Sequence, residues 1–157
     1  MSDKVITRID QVTNTWLTSV LTNSGALING DVATFVMTTG QGNWSKNATV
    51  HVKYVNGSQG ALPRQLFLKM VNAHLEGGSF GPSEVYYYTR DFIGVEGAPL
   101  VHCYDAVFSG ELQRYHVLLD DQSETHIEAE KKTPTLEYGL ALAEGLAVLH
   151  AHWWGTQ

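Results

Sequence analysis

The sequence predicts an α+β domain: one antiparallel sheet of about five strands, an amino-terminal helix, a helix inserted in the sheet and a carboxy-terminal helix. Three observations carry this. Alternating, β-branched runs cluster between Val32 and Val71 and again between Leu100 and Leu119. Apolar residues spaced by three and four are confined to the two ends of the chain and to a short stretch around Glu84 to Phe92. Gly- and Asn-marked turns separate the strand candidates.

From about Thr7 to Asn23, the residues Ile9, Val12, Trp16, Leu17, Val20 and Leu21 form an apolar helical face, and Asn23-Ser24-Gly25 is a stop signal. Val32 to Thr39 and Ala48 to Val55 read as paired strands. In the second, Val50, Val52 and Tyr54 alternate with His51 and Lys53. They are joined by Gly40-Gln-Gly-Asn-Trp-Ser45, and Asn56-Gly57 opens the loop into a third strand, Leu66-Phe-Leu-Lys-Met70. The glycine-rich stretch Asn72 to Gly81 is irregular. Pro82 suits a first helical position, and Glu84 to Phe92 reads as a short helix ending at Gly94, with Glu84, Tyr88 and Phe92 on one face. Leu100 to Phe108 and Arg114 to Leu119 are two more strands, joined at Ser109-Gly110 and followed by the acidic polar segment Asp120 to Lys132. Thr133-Pro134 opens a last helix that runs to about Trp153, with Glu137 in its first turn.

That helix carries two apolar stripes, Leu136-Leu140-Ala143-Ala147-His150 and Leu142-Leu146-Leu149-Trp153. Both want partners, and the chain's own sheet can cover at most one, which predicts a homo-oligomer formed through this helix. The chain divides into residues 1–132, holding the sheet and its helices, and residues 133–157, the last helix.

With 157 residues, 43% of them apolar, the chain has the size and core of one domain, with no run long enough to cross a bilayer. Met1 to Asp10 lacks the pattern of a secretion signal and Cys103 is the single cysteine, so a cytoplasmic location is expected. The sequons at Asn43, Asn47 and Asn56 are then read as turn and strand residues. A net charge of −6, with only 10 Lys and Arg and no basic cluster, argues against nucleic-acid binding.

Lys69 interrupts an otherwise apolar strand. Leu66, Leu68 and Met70 would face one side of the sheet and Phe67, Lys69 and Val71 the other. An ammonium in such a place either reaches water, as on the wet face of an edge strand, or meets a fixed anion. The order of elements favours an anion: glycine-rich hairpin, strand with an interior lysine, helix with an inward glutamate, two strands, acidic connector, helix. This is the order of the small lobe of a kinase-type phosphotransferase, in which glycines let the backbone approach phosphates and a strand lysine contacts phosphate oxygens.

The phrases Leu62-Pro-Arg-Gln-Leu-Phe-Leu-Lys-Met70, Glu84-Val-Tyr-Tyr-Tyr-Thr-Arg90, Tyr115-His-Val-Leu-Leu-Asp-Asp-Gln-Ser-Glu-Thr-His126 and Leu142-Ala-Glu-Gly-Leu-Ala-Val-Leu-His-Ala-His-Trp-Trp154 resemble the aminoglycoside phosphotransferase and choline-kinase-like superfamily, in particular its ecdysteroid-kinase-like branch. The resemblance implies a five-stranded kinase-like small lobe followed by the first helix of a large lobe. By it, Lys69 looks like the phosphate-contacting lysine and Glu84 like its helix partner. Gly40 and Gly42 look like the phosphate loop, and Leu119, Asp120, Asp121 and Gln122 like the hinge that meets an adenine. Asp120 stands where many relatives carry glutamate, and the phosphate loop is shorter in glycine than a full Gly-x-Gly-x-x-Gly.

The superfamily's catalytic His-Gly-Asp loop and its later Mg²⁺-binding aspartate do not occur in these residues. The expectation is therefore a small-lobe portion that stops before the catalytic loop, whether as a fragment or a natural truncation. It would retain at most weak ATP binding, with Mg²⁺ only alongside the nucleotide, and no catalytic residue. A non-catalytic homo-oligomeric interaction or ligand-binding module is the alternative. His150 and His152 are read as packing residues, since residues two apart on a helix point roughly 200° apart and cannot chelate one ion. Asp120-Asp121 suits a solvated turn better than a metal site. Cys103 reads as an inert buried thiol and Tyr86-Tyr87-Tyr88 as packing residues.

Overall fold

The structure, a computed structural model, describes residues 4–42, 45–75, 78–127 and 131–155. The hairpin tip at Asn43 and Trp44, including the first sequon asparagine, and residues 128–130 of the acidic connector lie outside the described residues.

The first helix, α1 (Asn14–Asn23), is shorter than the spacing predicts. Thr13 caps it by accepting the Trp16 N–H at 3.1 Å. The upstream apolar positions belong instead to a strap with a single 3₁₀ turn, Ile9–Gln11. Val12 turns extended there and is buried, so the period read from Thr7 onward joins two local structures. Leu17, Val20 and Leu21 are the buried stripe of α1. Gly25, with φ of 78°, ends the helix.

Five strands follow: β1 (Val32–Gln41), β2 (Ser45–Tyr54), β3 (Gln65–Asn72), β4 (Cys103–Ser109) and β5 (Arg114–Asp120). They form one antiparallel sheet in the order β1-β2-β3-β5-β4, so the predicted α+β class and strand count hold. Leu100 to His102 precede β4 without joining it. Two short ribbons were not predicted, Leu27–Asn29 with Gln59–Gly60 and His74–Leu75 with Gly78–Ser79. In the first, Gly60 sits at φ of 129°, and a Cβ there would lie 2.4 Å from the Ala26 carbonyl oxygen, so the pairing requires glycine. Asn47 lies within β2 and Asn56 in a turn closed by the Ser58 N–H to the Val55 carbonyl.

An apolar cluster packs on each face of the sheet. Leu66, Leu68 and Met70 of β3 join Val50, Val52, Leu118 and the α1 stripe in one core. Val71, Val117, Tyr115, Leu119 and Ala106 form a second cluster on the other face with Val85. The alternation predicted around Lys69 is therefore the division between two cores.

The inserted helix differs in form from the expectation. A single turn, α2 (Ser83–Tyr86), has Pro82 as its N-cap residue and passes into a π-helical turn, Tyr87–Asp91. The wider turn separates Phe92 from the face of Glu84 and Tyr88. Phe92 packs against Tyr87, His152 and Trp153, while Tyr88 packs on the second core.

The last helix, α3 (Leu136–Trp153), begins two residues beyond Pro134, capped by the Thr135 hydroxyl accepting the Tyr138 N–H at 3.1 Å. None of its residues is buried, so the sheet covers neither stripe. Its contacts with the rest of the chain include Gly145 against Pro99, Phe92 against His152 and Trp153, Lys132 over the Tyr138 ring, and His152 Nε2 to the Asp91 carbonyl at 2.9 Å. No helix among the described residues is long and apolar enough to cross a membrane.

Candidate functional site

The site begins with one line across the sheet. Gly40 pairs with Asn47, Asn47 with Lys69, and Lys69 with Val117. Directly paired residues of antiparallel strands project to the same face, so these four share the side of the second core. At about 4.8 Å per strand, Gly40 stands roughly 10 Å from the Lys69 backbone. The next row on the same face is Thr38, Thr49, Phe67 and Leu119.

Lys69 Nζ lies 2.8 Å from both Glu84 oxygens, a two-sided ion pair between β3 and α2. The side chains keep 32% and 25% of their surface exposed, so a solute can still reach the ammonium. Glu84 lies in the first turn of α2, where the helix dipole favours its charge. It also accepts the Tyr115 hydroxyl on Oε2. Burial, together with the Glu84 carboxylate, pushes the Tyr115 phenol far above its ordinary pKa and keeps it a neutral donor.

The two glycines differ. Nothing lies within 4 Å of where a Cβ of Gly40 would be, and its φ is not positive. Its backbone can thus be approached from the site face, yet the fold does not demand glycine there. The Gly42 N–H is committed to the Ser45 carbonyl at 2.9 Å, closing the hairpin. Beside it, Asn47 Oδ1 is buried and meets no donor.

At the other end of the second row, Leu119 is nearly buried beside Phe67. Asp120 turns to the α1 side, where it accepts the Tyr104 hydroxyl at 2.7 Å, with Gln122 Nε2 at 3.4 Å. Asp121 returns to the site face, accepting Thr49 Oγ1 at 3.0 Å and the Ser123 N–H at 2.9 Å. Burial alone would raise its carboxyl, but bonds from Ser123, Thr49 and Gln65 outweigh that and hold it below the ordinary carboxylate value.

Lys69, Glu84, Gly40, Leu119 and Asp121 therefore gather on one face. Asp120 is bonded to Tyr104 of β4, Gln122 to Asp120 and Thr125 within the connector, and Gly42 serves the turn. Sequence reasoning missed Tyr115, Asn47 and Thr49 as members. Period-two counting does place Phe67 beside Lys69, whereas Tyr115 is found only once β5 is seated next to β3. A cavity of about 350 Å³ borders Glu84, lined by Ser83, Tyr87 and Tyr88. A larger one of about 510 Å³, with Lys53 and Arg64 in its wall, lies at the far end of β2 and includes none of these residues.

Chemically, the face offers one accessible cation held by a carboxylate, an unobstructed strand backbone beside it, and an apolar ring two residues along the strand. Such a set suits an anion joined to a flat apolar group. No protein-family model, curated protein or solved structure matches the chain.

Proposed function

We propose that these residues form the nucleotide-binding small lobe of an ATP-dependent small-molecule phosphotransferase of the aminoglycoside phosphotransferase and choline-kinase-like type, not competent for catalysis alone. The observation that carries this is the Lys69–Glu84 pair, an accessible ammonium fixed by a helix carboxylate in the middle of a sheet. In this reading Lys69 takes a phosphate oxygen, and the open backbone at Gly40 lets the phosphates lie close to β1. The base rests over Phe67 and Leu119, and the connector backbone from Asp120 to Gln122 edges it. When bound, ATP supplies the transferable phosphoryl group and brings Mg²⁺ with it. The chain's own residues bind and orient it. Transfer requires an aspartate presented by another part of the enzyme.

Thermal unfolding with and without millimolar Mg·ATP tests the reading. Ligand at ten times its Kd adds about 1.4 kcal/mol of stability, a rise of roughly 3–5 °C for a domain of this size. Lys69→Ala and the volume-preserving Lys69→Met should abolish the rise. No shift in the wild type, or an equal shift in both variants, would sink the proposal.

A second reading rests on α3. An 18-residue helix with none of its residues buried, exposing Leu136, Leu140, Leu142 and Leu146, favours a non-catalytic module that pairs with a second copy of itself. Sedimentation at micromolar concentration should then give a dimer that Leu146→Glu dissociates. A monomer at all concentrations removes this reading.

A further inference from the structure

We infer that Tyr115 is a positioning residue for Lys69: its hydroxyl locks Glu84, and through Glu84 it fixes the ammonium that would receive an anion. The anion's identity as a nucleotide phosphate rests on the reading above, whereas the positioning of Lys69 does not.

Little else holds Glu84 in place. Its helix is one turn long, the Pro82 N-cap makes no side-chain bond, and a π turn follows at once. So short a helix has little stability of its own, and a glutamate has three rotatable side-chain torsions. Tyr115, by contrast, is 3% exposed, sits in β5 between partners Val71 and Phe108, and meets the edge of Phe80 at 6.2 Å. Its hydroxyl is a donor fixed to the rigid sheet.

The Glu84 carboxylate joins the two. Oε2 accepts both Tyr115 and Lys69, while Oε1 accepts Lys69. A carboxylate offers about four lone-pair directions, so the three bonds coexist and define the plane of the carboxylate. The two Glu84 oxygens thereby fix the position of Nζ, and with it the side of the ammonium that faces away from Glu84. Were Lys69 to lean toward an arriving anion, the Tyr115 hydroxyl would keep the Glu84 carboxylate in place behind it. The sheet, through Tyr115, compensates for a short helix.

The test measures the reactivity of Lys69 in the free protein. Trinitrobenzenesulfonate labelling is read by peptide mass spectrometry and normalised to exposed Lys53. Tyr115→Phe retains the ring and removes the hydroxyl alone. The expected result is labelling of Lys69 raised about fivefold, approaching the level of Glu84→Ala, with the double variant no higher than Glu84→Ala. An amide NMR spectrum of Tyr115→Phe that overlays the wild type away from the site separates positioning from general loosening. Should that variant unfold, the same inference is read in the wild type: a slowly exchanging Tyr115 hydroxyl proton with a cross-peak to the Glu84 side chain supports it, and a freely exchanging one overturns it.

Unchanged Lys69 labelling in Tyr115→Phe overturns the inference, and so does unchanged labelling in Glu84→Ala. Titration with Mg·ATP forms a separate arm. Wild-type protein that binds no ATP while the labelling differences persist refutes the nucleotide reading and leaves the positioning role standing. ATP binding together with unchanged labelling does the reverse.

Discussion

His116 Nδ1 accepts the backbone N–H of Ile6 at 3.0 Å, tying the strap ahead of α1 to the middle of β5. A backbone amide can only donate, so Nδ1 is the lone-pair nitrogen and the proton sits on Nε2, which donates to Asp105 Oδ2 at 3.1 Å. His116 is fully buried, with Trp16 edge-on at 5.7 Å. His116→Ala removes an acceptor, a donor and a ring from the core at once. The expected loss is about 2–4 kcal/mol of unfolding free energy, measured by urea titration, and the residues around Ile6 should lose hydrogen-exchange protection first. A cost below about 1 kcal/mol would mean that the strap is held by its apolar side chains alone.

Gly40→Ala separates folding from binding. The position is extended and open, so a methyl group there should leave stability unchanged or raise it by about 0.5 kcal/mol. The same methyl group projects from the face that the phosphates would approach, and the ATP-induced stabilisation should shrink or vanish. A variant that binds ATP as the wild type does would remove Gly40 from the site.

Asp121 gives a pH signature. Its folded-state pKa is lowered by the Ser123, Thr49 and Gln65 bonds, so the ionised form contributes stability above the unfolded carboxylate value. That contribution is lost as pH falls through the lower folded value. Asp121→Asn should therefore cost about 0.5–1 kcal/mol at neutral pH, allowing for solvent screening. The gap between variant and wild type should close in unfolding experiments carried below about pH 4. A difference independent of pH would assign the cost to packing.

Cys103 should be nearly inert. Burial first, then the nearby Asp105 and Glu84 charges, push its thiol up to about 12, and the thiolate is the reactive form. Iodoacetamide at pH 8 should modify the native protein at least on the order of a hundredfold more slowly than the urea-unfolded chain. Comparable rates would place the thiol in contact with solvent.

What the sequence made legible follows from period. Alternation about Lys69 and along Val50 to Tyr54 gave the strands and their faces, because each side of the sheet covers its own core. Turn residues gave the hairpins. The boundaries of the helices were less legible, since Thr13 and Thr135 are the capping residues and a threonine cap leaves little trace in an apolar pattern. The π turn after Tyr86 was illegible because its register follows from packing Tyr88 inward and Phe92 toward α3. Within the site, Lys69 and Glu84 could be paired from their order along the chain, but Tyr115 could not, because its contribution depends on which strand becomes the neighbour of β3.

Strand β3 meets its two neighbours on unequal terms. Its pairing with β2 joins near positions, such as Val50 with Leu66, while its pairing with β5 joins distant ones, such as Leu66 with Asp120. Closing the longer loop costs more chain entropy, so the β1-β2-β3 meander is favoured to form first and β5 to dock late. Refolding followed by pulsed hydrogen exchange would show simultaneous protection of β2 and β5 if this order were wrong. The Lys69, Glu84 and Tyr115 cluster straddles that late seam. A nascent chain thus carries its lysine on a finished meander for a time without the partners that give it direction, and the site comes into existence only in the step that completes the sheet.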